Sequence, residues 1–212
     1  MISLIRKGAE AYLYLDHWYN LKVVKKVRKV KAYRIPQLDF KIRRVRTRRE
    51  VHLMHDAKLA GVSTPFIYMV DLDATTIIMQ YIEGQRVKEV LNALPPDNRV
   101  RLCEHIGMLI GRLHQSGIIH GDLTTSNMIV TEDCKVFLID FGLAEDSKEL
   151  EKRGVDLLIA RRSLHATHYS CAKECFEAVF EGYSGELGRR AAKDVITRVE
   201  DIAKRGRYAI ER

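Results

Sequence analysis

The spacing of polar and apolar positions changes character along the chain. Residues 2–16 (ISLIRKGAEAYLYLD) and 18–28 (WYNLKVVKKVR) alternate with a period near two, which predicts two strands with a turn at Asp16–His17. From Asp39 to Leu59 the pattern becomes helical, with Asp39 as the expected N-cap and Gly61 just past the end. Residues 66–82 (FIYMVDLDATTIIMQYI) predict a hairpin with Asp73 near its turn, and the strand-rich part ends near "IEGQ". After Pro95–Pro96, Ile106, Leu109, Ile110 and Leu113 recur at helical spacing until Gly117. "NMIV" (127–130) and "VFLID" (136–140) predict a second short hairpin, and from Gly154 onward the pattern is helical. The pattern predicts an α+β chain. A sheet lobe with one main helix occupies residues 1–83, and a larger, mostly helical lobe occupies 84–212.

Composition narrows the class. With 212 residues and 46% apolar side chains, the chain can bury a core, which excludes a disordered polymer. No run approaches the roughly 18 consecutive apolar residues of a membrane span, and the N-terminus is expected to carry no secretory leader. Cys103, Cys134, Cys171 and Cys175 form no dense framework, so reduced thiols and a cytoplasmic location are expected.

Charge adds a second feature. The net charge is +8, yet thirteen Lys or Arg fall between Lys22 and Arg49 against one acid, Asp39. The rest of the chain is therefore net acidic. A block this concentrated points to a phosphate-bearing partner, most simply RNA.

The candidate chemistry lies in "IIHGDLTTSNMIV" (118–130) and "LIDFGLA" (138–144). Asp122, Asn127 and Asp140 suit a nucleoside triphosphate with Mg²⁺, a hard ion that takes one or two protein oxygens and fills its shell with phosphate and water. Asn127 and Asp140, on facing arms of a hairpin, can supply those oxygens. Asp122 can orient or deprotonate an attacking hydroxyl or water, and His120 braces the loop.

"HGDLTTSN" followed by "DFG" resembles the paired catalytic-loop and metal-binding motifs of protein kinases. The resemblance asks for a strand lysine held by a helix glutamate. Strand alternation leaves Lys25 and Lys26 open and leans to Lys25, whereas Glu50 is the only acid inside its helix before Asp56. It also implies Met79 as gatekeeper, with the peptide groups of Gln80, Tyr81 and Ile82 facing adenine. Departures are informative too. "KGAEA" keeps one glycine, Gly8, where kinases have a glycine-rich loop; Gly121 replaces the usual arginine; and no proline follows Pro96, so the A-P-E segment is absent. Only about a dozen residues separate "DFG" from "GVDLL", whose Asp156 resembles the buried aspartate that braces a kinase catalytic loop.

This trimmed set is similar to the small atypical kinase subunit of the KEOPS (EKC) complex in its archaeal, stand-alone form. The carrying residues are "GAEA" (8–11), K-x-R-x-x-K-x-Y-R (Lys26–Arg34), "QLD" (37–39), "RTRRE" to Glu50, "YIEG" (81–84), the two motifs above, "GVDLL", "THY" (167–169), "FEGY" (180–183) and "RGRY" (205–208). Val30 departs from the family's frequent proline. The resemblance implies a minimal bilobal kinase fold without a peptide-docking platform. It selects Lys26 as the strand lysine, and adds Gly8 and Glu10 to the ATP-binding set. It implies ATP and Mg²⁺ as cofactors and ATPase activity with weak serine/threonine kinase activity. The implied partners are an ASKHA-fold enzyme that installs threonylcarbamoyladenosine on tRNA, the other KEOPS subunits, and tRNA itself through residues 22–49 and the C-terminal tail.

Two other functions fit parts of the pattern. A RIO-type kinase of ribosome assembly also lacks A-P-E but normally carries an extra N-terminal helical domain. A nucleotide-bound scaffold without turnover fits the sparse "KGAEA" loop. His165, His168, Cys171 and Cys175 have spacings reminiscent of zinc sites, but their aromatic neighbours Tyr169 and Phe176 favour packing. His52 and His55 read as surface or phosphate-facing residues.

Overall fold

Two hairpins and a long helix build the first half of the molecule, in a computed structural model that describes residues 2–208. Residues 209–212 of the expected C-terminal nucleic-acid contact lie outside the described residues. Strands β1 (Ser3–Lys7), β2 (Ala11–Trp18), β3 (Leu21–Arg28), β4 (Ile67–Asp71) and β5 (Thr76–Gln80) form an antiparallel sheet in the order β1-β2-β3-β5-β4. The β2–β3 turn is at Tyr19–Asn20, not Asp16–His17. Both turn residues have positive φ (47° and 65°), the geometry whose twist matches a two-residue hairpin. Asp16 and His17 stay in the ladder opposite Val23 and Lys22, because this strand end is solvated and tolerates polar side chains.

Helix α1 (Pro36–Leu59) starts earlier than the pattern predicted. Pro36 occupies the first turn, where its missing N–H costs no hydrogen bond. Asp39 is therefore inside the helix rather than at its cap. Its buried carboxylate accepts from Arg43 Nε at 2.7 Å. Leu53, Met54 and Ala57 of α1 pack into one buried cluster with Ile77 and Met79 of β5.

Beyond Tyr81–Gly84 come β6 (Gln85–Arg86), α2 (Val87–Val90) and α3 (Pro96–Gln115). They are followed by β7 (Ile118–Ile119), β8 (Met128–Val130), β9 (Val136–Leu138) and β10 (Glu145–Asp146). Helices α4 (Leu150–Thr167), α5 (Ala172–Leu187) and α6 (Arg189–Tyr208) complete the described chain. Strands β6, β8 and β9 form one small sheet, and β7 pairs with β10. The α3 stripe Ile106, Leu109, Ile110 and Leu113 is buried as expected, and Leu102 extends it. Helix α4 begins at Leu150, before Gly154. Helices α3 and α5 cross in near backbone contact. A Cβ on Gly107 would sit 1.9 Å from the Val179 carbonyl oxygen, and one on Gly182 would sit 1.9 Å from that of Glu104. Only glycine permits this approach.

Between Asp140 and α4 the chain makes one 3₁₀ turn (Phe141–Leu143), pairs briefly as β10 with β7, and enters the helix. The extended segment that carries a peptide platform is absent from this stretch, and the architecture is the expected antiparallel sheet followed by a helical part.

Candidate active site

The loop between β7 and β8 is fixed from beneath by Asp156 of α4. This fully buried carboxylate accepts the N–H of His120 at 2.8 Å and of Gly121 at 2.9 Å. His114 Nε2 donates to the same carboxylate at 3.2 Å, and Tyr183 O–H donates to His114 Nδ1 at 2.9 Å. The His120 ring is also fully buried. Its Nε2–H donates to the Ile139 carbonyl at 3.2 Å, its Nδ1 accepts the Asp122 N–H at 3.3 Å, and it packs on Phe141 with centroids 4.6 Å apart. Burial holds the His120 pKa below its ordinary value, so the ring is neutral and acts as a brace. Gly121 has φ +79°, and a Cβ there would sit 2.5 Å from the Leu143 carbonyl oxygen. This close approach explains why no arginine stands there.

Asp122 and Asn127 are joined directly. Asn127 Nδ2 donates to Asp122 Oδ2 at 2.7 Å and to the Asp122 carbonyl at 3.1 Å. The β8–β9 pairing continues through an Ile139 N–H to Asn127 carbonyl bond of 3.0 Å, which sets Asn127 beside Asp140. Asp140 adopts a left-handed conformation (φ 64°, ψ 69°) that turns its carboxylate toward β3.

There it meets Lys26. The Lys26 ammonium bonds Glu50 Oε1 at 2.5 Å and Asp140 Oδ1 at 2.6 Å. Burial opposes the charge on Lys26, but the two carboxylates outweigh it and hold its pKa above the usual lysine value. Burial likewise favours a neutral Asp140; the adjacent Lys26 charge and hydrogen bond overcome this and hold its pKa below the usual value. Lys25 takes no part. Val24, Lys26 and Arg28 share the strand face that meets α1, and Lys25 is on the other. The lean toward Lys25 failed because the charged ion pair, not the apolar stripe, lies on the cleft side.

Arg28, the arginine of the K-x-R-x-x-K-x-Y-R pattern that carries the family resemblance, had no task assigned to it from the sequence. It is buried, and its Nη2 donates to Glu50 Oε2 at 2.5 Å and to the Arg46 carbonyl at 3.3 Å. Glu50 therefore holds two cations. The available signal was its i, i+2 spacing from Lys26, which puts both on one strand face.

The remaining candidates are arranged differently. Gly8 N–H donates to the Ala11 carbonyl at 3.0 Å, closing a tight loop. Glu10 turns onto Lys31 (3.2 Å) and Arg46 (2.9 Å), and among the described residues no bond joins it to the Lys26–Asp140 cluster. Met79 is buried in β5 opposite Val24. Gln80 N–H donates to the Phe66 carbonyl at 2.7 Å, and Tyr81 N–H to the Lys22 carbonyl at 3.4 Å. Those two amides are thus engaged across strands. The Ile82 N–H has no partner among the described residues.

The donor set fits Mg²⁺. Asn127 uses its amide nitrogen on Asp122, leaving its Oδ1. Asp140 uses Oδ1 on Lys26, leaving Oδ2, and its side chain is 42% exposed. One carboxylate and one amide oxygen are what an ion completed by phosphate and water requires. No group of three or more His, Cys, Asp or Glu that could hold a metal occurs among the described residues. This includes the zinc-like residues. His168 is buried on Asn92 and Thr125, and Cys171 and Cys175 are buried in the core while His165 is exposed. His52 and His55 are exposed on α1.

The basic block is largely neutralised internally. Nine of its thirteen cations pair with carboxylates, and Lys25, Lys29, Lys41 and Arg48 have no acidic partner among the described residues.

Comparison with known proteins agrees with this arrangement. Residues 8–182 match the protein kinase domain family. The chain is 44% identical to the KEOPS complex subunit Bud32 of Pyrococcus abyssi, over 98% of this chain and 96% of that protein. It is also 44% identical to a probable bifunctional tRNA threonylcarbamoyladenosine biosynthesis protein of Methanothermobacter thermautotrophicus, of which it spans 36%. Its fold resembles the Rio2 kinase of Chaetomium thermophilum, with a TM-score of 0.66 over 96% of this chain and 72% of that one. At 16% identity that likeness concerns the fold alone. The chain belongs to the protein kinase family and, within it, to the Bud32 subunits of KEOPS complexes.

Proposed function

We propose that this chain is an Mg-ATP-dependent atypical serine/threonine kinase and ATPase that supports threonylcarbamoyladenosine modification of tRNA within a KEOPS-type complex. The observation that carries the reading is the unbroken Glu50–Lys26–Asp140 ion-pair chain beside the bonded Asp122–Asn127 pair. The relatives' names supply the biological setting. The ASKHA-fold enzyme, the other KEOPS subunits, tRNA and a cytoplasmic location are parts of the same proposal. The cleft lies between lobes 1–83 and 84–212.

Each residue has a task. Lys26, kept charged by Glu50, exchanges its half-exposed partner Asp140 for nucleotide phosphates. Asn127 Oδ1 and Asp140 Oδ2 would hold Mg²⁺, which when bound would neutralise charge on the phosphates. Asp122 has one oxygen fixed by Asn127, and its other oxygen accepts a proton from the attacking hydroxyl or water. His120 and Asp156 keep the loop in register. Met79 walls the adenine site, with the Ile82 amide and the carbonyls of Gln80 and Tyr81 nearby. The short segment after Asp140 offers no bed for a peptide, which favours water or one dedicated acceptor over broad signalling.

A nucleotide-holding scaffold is the second reading. It is favoured by Glu10, whose carboxylate ties the Gly8 loop to Lys31 and Arg46 instead of presenting it to phosphate. The test is γ-labelled ATP turnover with and without the ASKHA-fold partner and tRNA, with free phosphate and phosphoprotein counted separately. The proposal expects turnover that disappears in Asp122→Asn. If that variant fully supports tRNA modification, the scaffold reading stands instead.

A further inference from the structure

The catalytic loop is anchored at both ends. Its start is held by Asp156, and its far end by a second buried group that the proposed chemistry does not use. Thr125 lies two residues before Asn127, in the 3₁₀ turn Thr125–Asn127. Its N–H donates to Ser163 Oγ of α4 at 3.0 Å. Its hydroxyl lies 3.2 Å from His168 Nε2 and 3.4 Å from Ser163 Oγ. His168, just past the end of α4, is fully buried, and its Nδ1 lies 2.8 Å from Asn92 Oδ1.

The direction of each bond follows from one end. Asn92 Nδ2 donates to the Thr167 carbonyl at 3.4 Å, so Asn92 Oδ1 faces His168 as an acceptor. His168 Nδ1 must then carry the proton, and Nε2 is left as an acceptor. The Thr125 O–H donates to Nε2, and the Thr125 oxygen in turn accepts from the Ser163 O–H. With His168 neutral and protonated on Nδ1, every donor meets an acceptor. Burial, with the Lys88 charge as a second cause, keeps its pKa below the ordinary value, which agrees with that form.

The chain of contacts continues to the proposed metal ligand. Asn127 N–H donates to the Thr124 carbonyl at 2.9 Å, and the Asn127 amide is tied to Asp122. Thr125 and Asn127 are both nearly inaccessible, so the turn moves as a unit. We infer that His168 is a positioning residue for the nucleotide chemistry: through Thr125 it sets where Asn127, and with it Asp122, stands in the cleft. The inference rests on the reading of Asn127 as an Mg²⁺ ligand.

The test is ATP turnover titrated with Mg²⁺ in wild type, His168→Gln, His168→Asn, His168→Leu, Thr125→Val and the Leu/Val double variant, each with its melting temperature. Gln reaches Thr125 with an acceptor oxygen. Asn reaches only Asn92, and Leu reaches neither. We expect Asn and Leu to raise the half-saturating Mg²⁺ about tenfold, the size of losing a hydrogen bond to a buried group. Turnover at saturating Mg²⁺ should fall less, Gln should stay within about twofold of wild type, and the double variant should be no worse than either single. A merely structural role lowers the melting temperature without this split or this ranking. Unmoved Mg²⁺ dependence in Asn, Leu or Thr125→Val, Gln behaving as Leu, or additive single effects would overturn the inference. If Leu does not fold, Thr125→Val and the Gln–Asn contrast decide. Wild type without Mg²⁺-dependent turnover overturns the ATP reading and this inference together. Normal wild-type dependence with unmoved variants overturns this inference alone.

Discussion

Glu50 is the residue whose charge the cleft can least lose. It is 1% exposed and holds the Lys26 ammonium on one oxygen and the Arg28 guanidinium on the other, each at 2.5 Å. Glu50→Gln keeps the shape and removes the charge. Lys26 is then left with half-exposed Asp140, and Arg28 with the Arg46 carbonyl at 3.3 Å. Removing one partner from a buried ion pair costs about 3–5 kcal/mol, because the other charge stays desolvated. At about 2–4 °C per kcal/mol for a chain this long, the melting temperature should fall by about 6–20 °C. Lys26→Met is the control. It leaves Glu50 paired with Arg28 and removes a desolvated charge, so its cost should be of order 1 kcal/mol. Both variants should lose nucleotide turnover, so stability and activity part company. The assay is urea and thermal unfolding of both variants at neutral pH. If Glu50→Gln loses less than about 1 kcal/mol, or Lys26→Met loses as much as it does, the two-cation account of Glu50 is wrong.

Other consequences concern the loop, the buried histidines and the basic block. Gly121→Ala should cost about 1–3 kcal/mol, from positive φ and the Leu143 carbonyl 2.5 Å away, and a melting curve matching wild type would contradict the close approach. His120 and His168 have folded pKa values below the ordinary 6.5, so between the two values the unfolded chain binds protons that the folded chain does not. Stability should therefore be complete above that value and fall as the pH drops below it. His168→Gln should flatten the slope of unfolding free energy against pH, and an unchanged slope would count against it. Binding to tRNA should weaken with salt. Changing Lys25, Lys29, Lys41 or Arg48 to Ala should lower the log–log slope by about 0.9 for each phosphate that side chain neutralises. A flat salt response would exclude electrostatic binding through this block.

Much of the fold was readable because local rules agreed with tertiary context. The α3 stripe, the Asp73 hairpin turn and the β8–β9 hairpin are elements in which burial, turn chemistry and spacing coincide. The β2–β3 turn was misplaced because Asp16 and His17 look like turn residues, whereas the structure needs positive φ at Tyr19 and Asn20. The start of α1 was placed late because Asp39 resembles a cap, yet its carboxylate serves Arg43. Within the site, Asp122, Asn127 and Asp140 were legible from spacing. Lys26 was legible only through the family resemblance, since alternation identifies faces but not which face meets α1. The tasks of Arg28 and His168, residues that the family resemblance includes, were illegible for a related reason. Their partners Glu50 and Thr125 are 22 and 43 residues away, beyond any local pattern.

The central claim is that Lys26, Asn127 and Asp140 form a site for Mg-ATP. Calorimetric titration of ATP into wild type and Asp140→Asn, with and without Mg²⁺, tests it most directly. The account predicts that wild type binds ATP tightly only with Mg²⁺, and that Asp140→Asn loses the Mg²⁺ enhancement while remaining folded. Equal Mg²⁺ enhancement in the two proteins, or no binding by wild type, would contradict it.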